Sequence, residues 1–263
     1  MVMRTTQQVL SSYAAAVRQE TTHRTDTHRS TSPRLAAKGR SPRGRRAYPG
    51  RDACQDCSVT VPPIPAGPLW HATDRDEVQL ACAEFGGNGT PVVLLHGLAG
   101  CGEEWAETAS ALTPGYRVLA PDQRGHGRSE RRPSDVSRGA YVVDVAMWLE
   151  RLAAVPAVLV GQSLGGHTAF LVAARHPDLV RALVVVEATP EADPRGGDDV
   201  RRWLESWPRP FVSAMHALQF FGGDSAWSRA WLRGLDARDD GLWPRFDIDV
   251  MMASLSETSA DSY

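Results

Sequence analysis

The sequence predicts an α/β fold: a mostly parallel sheet flanked by helices, with a disordered leader before it and a helical segment after it. Three observations predict this. Short β-branched runs alternate with helically spaced apolar segments between residues 78 and 190, the pattern of a parallel sheet covered on both faces. A serine stands at a glycine-flanked corner between one such run and the next helix, in "LVGQSLGGHTAF" (159–170). From about residue 195 the strand runs stop and Trp203, Trp207, Trp227, Trp231 and Trp243 punctuate amphipathic segments instead.

The elements follow in order. Proline-rich "VPPIPAGP" (61–68) reads as a stiff linker into the folded part. "VQLACAEF" (78–85) reads as a strand, "GGNG" (86–89) as a tight turn and "PVVLLHG" (91–97) as a buried strand. "YRVLAPD" (116–122) is a further strand, and "YVVDVAMWLERL" (141–152) has helical spacing. "AVLVGQ" (157–162) is a strand, the helix after it ends at Pro177, and "RALVVVEATP" (181–190) is a strand again. The expected domains are a leader and linker over 1–66, a sheet core over 67–194 and a helical lid over 195–263.

Charge separates the leader from the rest. Residues 1–51 hold ten Arg and one Lys against Glu20 and Asp26, whereas the remaining 212 residues carry 18 basic and 29 acidic side chains. The leader has too few large apolar residues to offset its ordering entropy, so it is expected to be disordered. Its Arg cluster admits three readings: a basic arm for anionic partners, a transit peptide, or an extension without function. The last is preferred, because 28 Arg against a single Lys is the bias of GC-rich coding DNA. The net charge of −2 makes no case for nucleic acid or membrane partners. No apolar run reaches the length of a membrane span and no signal peptide is apparent, so the expected compartment is the cytoplasm. Cys54 and Cys57 form a lone C-x-x-C with no second pair, read as incidental thiols. No metal and no cofactor are expected.

The chemistry is expected at the corner. Gly161-Gln162-Ser163-Leu164-Gly165 fits G-x-S-x-G between a strand and a helix, the context the motif requires. The serine backbone there is strained, so its neighbours two residues away must lack bulk, and Gly161 and Gly165 meet that need. The helix that follows aims its N-terminal N–H groups at any oxyanion formed nearby. Two further turns stand at strand ends: His96-Gly97 in "LLHGLAG" (94–100), and "DQRGHGRS" (122–129) with Asp122 and Arg124.

In these three ordered motifs the chain resembles the α/β-hydrolase family, over about residues 67–263. The resemblance implies that Ser163 is the nucleophile and that the backbone N–H groups of Leu98 and Leu164 form the oxyanion hole. It implies that the Trp and Phe side chains of the lid line an apolar acyl pocket, with Trp105 helping to line the same cleft. His96 and His126 are read as scaffold residues of their turns. Glu187, just after "ALVVV", is the candidate acid, with Asp193 and the Asp198-Asp199 pair weaker. The alternative at Glu187 is an ordinary strand-end polar residue.

The histidine of the triad is the gap. After Ser163 the chain offers His167, one helical turn on; His176, at the helix end; and His216, in the lid. Each is expected to be structural. The resembled family continues with two more strand–helix units, and a βαβ unit takes about 30 residues or more. The expectation is therefore that the chain stops inside or just after the lid, with the base beyond Tyr263 and strand 182–186 left as a sheet edge. The functional expectation is a serine hydrolase acting through an acyl-enzyme on a small-molecule substrate, a carboxylic ester first. A serine at the elbow argues against branches that need a carboxylate nucleophile. The alternative is a ligand-binding or catalytically impaired homologue.

Overall fold

The computed structural model describes residues 67–188 and 197–258. The leader, Cys54, Cys57 and Asp193 lie outside these residues. Six strands form one sheet: β1 (Leu69–Arg75), β2 (Val78–Gly86), β3 (Thr90–Leu95), β4 (Tyr116–Asp122), β5 (Ala157–Gln162) and β6 (Val180–Val186), in the order β1-β2-β4-β3-β5-β6. The pairs β3–β4, β3–β5 and β5–β6 are parallel, while β1–β2 and β2–β4 are antiparallel. The expected α/β class is observed, with β1 added to it.

The continuous apolar run of β3 has a direct cause. Successive side chains point to opposite faces, and both faces are covered. Val93 and Leu95 pack with Val142, Val145, Trp148 and Leu149 of helix α2 (Arg138–Arg151) and with Ala169, Leu171 and Val172 of helix α3 (Leu164–Arg175). Val92 and Leu94 pack on the other side with Trp105, just before helix α1 (Ala106–Leu112), and with Ala109 of that helix. The expected helix 141–152 begins earlier, because Ser137 caps it by accepting the Ala140 N–H at 3.3 Å.

Residues 197–256 form helices α4 (Gly197–Glu205), α5 (Ala214–Phe220), α6 (Ala226–Arg233) and α7 (Ile248–Ser256). The expectation of no strand there is corrected, since β7 (Leu235–Arg238) and β8 (Gly241–Pro244) make an antiparallel ribbon. Leu204, Trp207, Phe211, Ala217, Phe246 and Met251 are the core of this segment, and Leu98 and Ala99 of the turn after β3 pack into it. Polar ties reinforce the contact: Arg245 bridges Glu103 at 2.8 Å and Asp236 at 2.6 Å, and Tyr141 Oη meets Ser254 Oγ at 2.9 Å. Among the described residues β6 is the sheet edge beside β5, with Val185 exposed. No helix of the described residues is long and apolar enough to cross a membrane.

Candidate active site

Ser163 ends β5 and opens α3 with φ 50° and ψ −116°. A non-glycine residue in that region costs about 1–3 kcal/mol and persists only where its surroundings over-determine it. They do so here. The Ser163 N–H donates to Val186 O at 2.9 Å, and its carbonyl accepts the His167 N–H at 3.1 Å. The flanking glycines are required by close approach. A Cβ on Gly161 would sit 2.2 Å from Gly165 O, and one on Gly165 would sit 2.3 Å from Leu95 O. The corner is thus wedged against the end of β3, from which the next turn departs.

That turn carries His96, Gly97 and Leu98. A Cβ on Gly97 would fall 2.2 Å from Gln162 Oε1, so the turn touches the residue just before Ser163. The Leu98 N–H and the Leu164 N–H, the latter opening α3, meet no protein acceptor among the described residues. Two unpaired donors therefore flank the corner from two elements.

His96 is buried and holds the turn in place. Gln123 N–H donates to His96 Nε2 at 3.0 Å, so the ring proton sits on Nδ1, which donates to Gly97 O at 2.8 Å. Burial holds its pKa down at about 4. His126, 5.0 Å from it between ring centroids, donates from Nδ1 to Arg124 O at 2.9 Å, and burial holds it at about 3. Both rings are buried and hydrogen-bond to backbone groups of the two turns.

Asp122 joins the two turns, accepting from Gly102 N at 2.6 Å and Arg128 N at 2.7 Å. Burial raises its carboxyl to about 6. Arg124 is buried against Asp144 through two bonds, Nε to Oδ2 at 2.7 Å and Nη2 to Oδ1 at 2.8 Å, and Arg75 reaches the same carboxylate at 2.7 Å.

Glu104 was not singled out by the sequence. As a residue it is half-buried, yet its carboxylate lies under the turn, accepting the Cys101 N–H at 3.4 Å. Burial pushes this carboxyl up to about 8, against the pull of the Cys101 and Gly97 N–H groups. A carboxyl whose folded pKa is raised favours folding below its unfolded value and loses that contribution as pH rises through the folded value. The buried histidines act oppositely, costing stability only as pH falls below about 6.5. Asp122 has titrated by about pH 6, so between pH 6.5 and 8 the falling limb belongs to Glu104. The thermal midpoint is expected to drop across that interval, and Glu104→Gln is expected to flatten it. Midpoints measured in steps of pH check this.

Glu187 follows Val186, the residue whose carbonyl holds the Ser163 N–H, and it too has positive φ, at 52°. The backbone thus brings Glu187 to the same corner as Ser163. The histidines are placed otherwise. His167 is buried one turn down α3, with its pKa lowered by burial and then by Arg138. His176 caps the C-terminal end of α3. His216 Nδ1 accepts the Val212 N–H at 3.4 Å, and its ring meets Phe211 edge-on. Among the described residues no histidine ring hydrogen-bonds the Ser163 hydroxyl.

Trp105, expected at the cleft, is buried in the core cluster with Val92, Leu94 and Val160. The aromatic residues expected to line a pocket pack mainly on one another. Trp207 meets Trp203, Phe221, Trp231 and Phe246 edge-on, with centroids 4.8–5.3 Å apart. Gln123 is a further residue that the sequence did not signal: its amide bridges His96 O at 2.7 Å and Thr168 Oγ1 at 2.8 Å. Among the described residues no cluster of His, Cys, Asp and Glu is arranged to hold a metal ion.

Residues 90–245 match the family described as alpha/beta hydrolase fold. The chain is similar to the sn-1-specific diacylglycerol lipase ABHD11 of Mus musculus, 39% identical over 130 residues, which are 49% of this chain and 39% of that protein. It is also similar to the bifunctional esterase/perhydrolase DCH of Acinetobacter calcoaceticus, 29% identical over 200 residues, covering 66% of this chain and 72% of that protein. Among solved structures, E-2-(acetamidomethylene)succinate hydrolase superposes with a TM-score of 0.67 at 24% identity over 74% of each chain, a likeness of fold. The match thus spans well under half of the mouse lipase.

Proposed function

The chain belongs to the α/β hydrolase fold family, and on that premise we propose that it is a serine hydrolase acting on a small carboxylic ester. The observation that carries this is the backbone of Ser163, held at φ 50° and ψ −116° at the end of β5. In this reading Ser163 Oγ attacks the ester carbonyl carbon, and the N–H groups of Leu98 and Leu164 stabilise the resulting oxyanion. Collapse expels the alcohol and leaves an acyl-enzyme, which water then hydrolyses. Glu187 is the acid that would orient a base. The similarity to a diacylglycerol lipase and to an esterase/perhydrolase supports an oxygen ester over an amide.

The hydroxyl proton must pass to a base, and among the described residues no histidine ring hydrogen-bonds the Ser163 hydroxyl. That observation supports a second reading, a ligand-binding protein of this fold without turnover. Hydrolysis of p-nitrophenyl acetate and butyrate separates the two. The enzyme reading expects turnover by the full chain that falls at least about 10²-fold in Ser163→Ala, since loss of a triad nucleophile leaves only oxyanion-hole and binding contributions. Equal rates for the two proteins contradict it and favour the binding reading.

A further inference from the structure

The turn that carries Leu98 is held by a group that the chemistry at Ser163 does not use. Residues 97–101, "GLAGC", leave β3 with Ala99 at φ 61°. A side chain in that region is strained and stays there only where its surroundings hold it. One hold lies inside the turn, where the Gly100 N–H donates to Gly97 O at 3.1 Å. Another is Glu104, in the short 3-10 helix Gly102–Trp105, whose carboxyl accepts the Cys101 N–H at 3.4 Å and also the Gly97 N–H. Gly100 is shaped to that carboxyl, since a Cβ there would fall 2.4 Å from Glu104 Oε2.

A glutamate at the third position of a helix ordinarily reaches back to the N-cap N–H, and Cys101 and Glu104 have that relation. The bond to Gly97, ahead of the helix, goes beyond a cap. So does the state of the carboxyl, which burial pushes up to about 8, so that it carries its proton at neutral pH. The charges around it do not offset this. Asp122 of β4 repels it, while Arg245 and Arg128 turn to Glu103, at 2.8 and 3.7 Å. Arg229 and Arg233 of α6 turn to Glu107 of α1, and on β2 Glu84 pairs with Arg117. The buried thiols of Cys82 and Cys101 are pushed up and His96 is held at about 4, so none of these three titrates near neutrality.

We infer that Glu104 is a positioning residue: its neutral carboxyl holds the turn that presents the Leu98 N–H beside Ser163, and its ionisation releases that turn. Gly97 is the point of transmission, because it touches Gln162, the residue before Ser163. The consequence for catalysis rests on the ester-hydrolase reading of Ser163, whereas the movement of the turn does not. Opening returns the carboxyl to water, where it ionises near its ordinary value of about 4.3. The open state therefore gains on the closed one as pH rises towards about 8 and gains nothing further beyond it.

The test is amide hydrogen exchange of the full chain, read by mass spectrometry on the peptide spanning Gly97–Cys101 and corrected for intrinsic rates. In the wild type, opening of this segment is expected to rise at least about tenfold between about pH 6.5 and 8 and then to level off. Glu104→Gln keeps the shape of the neutral carboxyl and is expected to hold the segment closed throughout. Glu104→Ala is expected to leave it open at every pH. A wild-type turn whose opening ignores pH overturns the inference, with no variant needed. So does a Glu104→Gln turn that opens like the wild type, or a turn that opens no more than α2 does, which is global unfolding. The catalytic consequence is read as the pH profile of p-nitrophenyl butyrate hydrolysis. In the wild type kcat is expected to fall about tenfold from about pH 7 to 9, and that limb is expected to be missing in Glu104→Gln. A turn that opens while kcat holds overturns the positioning role. A turn that opens in a chain whose hydrolysis is indifferent to Ser163→Ala supports the hold by Glu104 and overturns the ester-hydrolase reading instead.

Discussion

Asp144→Ala is expected to destabilise the fold by about 3–5 kcal/mol, the cost of leaving one member of a buried ion pair without its partner. Arg124 is among the largest fully buried side chains, and both of its bonds to Asp144 are short and parallel, at 2.7 and 2.8 Å. Removing the carboxylate strands the guanidinium, with only the Asp135 carbonyl at 2.7 Å still accepting from it. Arg75 loses its 2.7 Å contact with that carboxylate as well, which loosens the end of β1. Denaturant unfolding followed by circular dichroism measures the loss. The exposed pair Arg201–Glu205 serves as the comparison, because surface ion pairs contribute about 0–1 kcal/mol. A loss at Asp144 no larger than that of the exposed pair would mean that Arg124 finds water or another carboxylate.

Gly165→Ala is expected to have the second large effect, and it acts on the corner itself. The new Cβ would lie 2.3 Å from Leu95 O and 2.5 Å from His96 O. Both are backbone atoms, so no side chain can swing aside and either β3 or the start of α3 must move. Overpacking of this kind costs about 1–3 kcal/mol and more where backbone is displaced. The movement would also carry the Leu98 N–H away from the Leu164 N–H. Gly115→Ala is the matched control, since an added Cβ there meets nothing within 4 Å. The expected outcome is a clear fall in unfolding midpoint for Gly165→Ala and little change for Gly115→Ala. Equal midpoints would show that the corner tolerates bulk and that its glycines have another cause.

Which parts could be read from the residues alone follows from how locally each is encoded. β3 and β5 announce themselves because both sheet faces are covered, so residues 92–95 and 157–160 are all apolar. The corner announces itself because strain at Ser163 demands glycine on both sides within five residues. β1 was not legible. Its sequence "LWHATDR" is polar and half-exposed along an edge, and its strand character comes from pairing with β2. The β7–β8 ribbon hides for a similar reason: "LDARDDGLWP" is short and charged, and Arg131 and Arg245 pair with Asp236 from elsewhere in the chain. The links that position the turns are likewise nonlocal. Asp122 reaches Gly102 across 20 positions and Gln123 reaches His96 across 27.

The aromatic residues after position 195 teach a different lesson. The family resemblance implied a pocket lining for them, yet side chains of that size in a small helical segment first satisfy one another. Trp207 and Phe211 are consumed as core, Phe221, Trp231 and Trp243 are half-buried, and Trp203, Phe220 and Trp227 stand exposed. The sequence lists the aromatic side chains but does not say which will be enclosed.

The central claim is that Ser163 is a reactive nucleophile. Intact-mass spectrometry of the full chain after treatment with a fluorophosphonate tests it most directly, because the probe requires an activated serine and no particular substrate. The expected result is one adduct per chain, on the peptide that contains Ser163 and absent from Ser163→Ala. A folded sample that takes up no probe, or one whose adduct persists in Ser163→Ala, would contradict it.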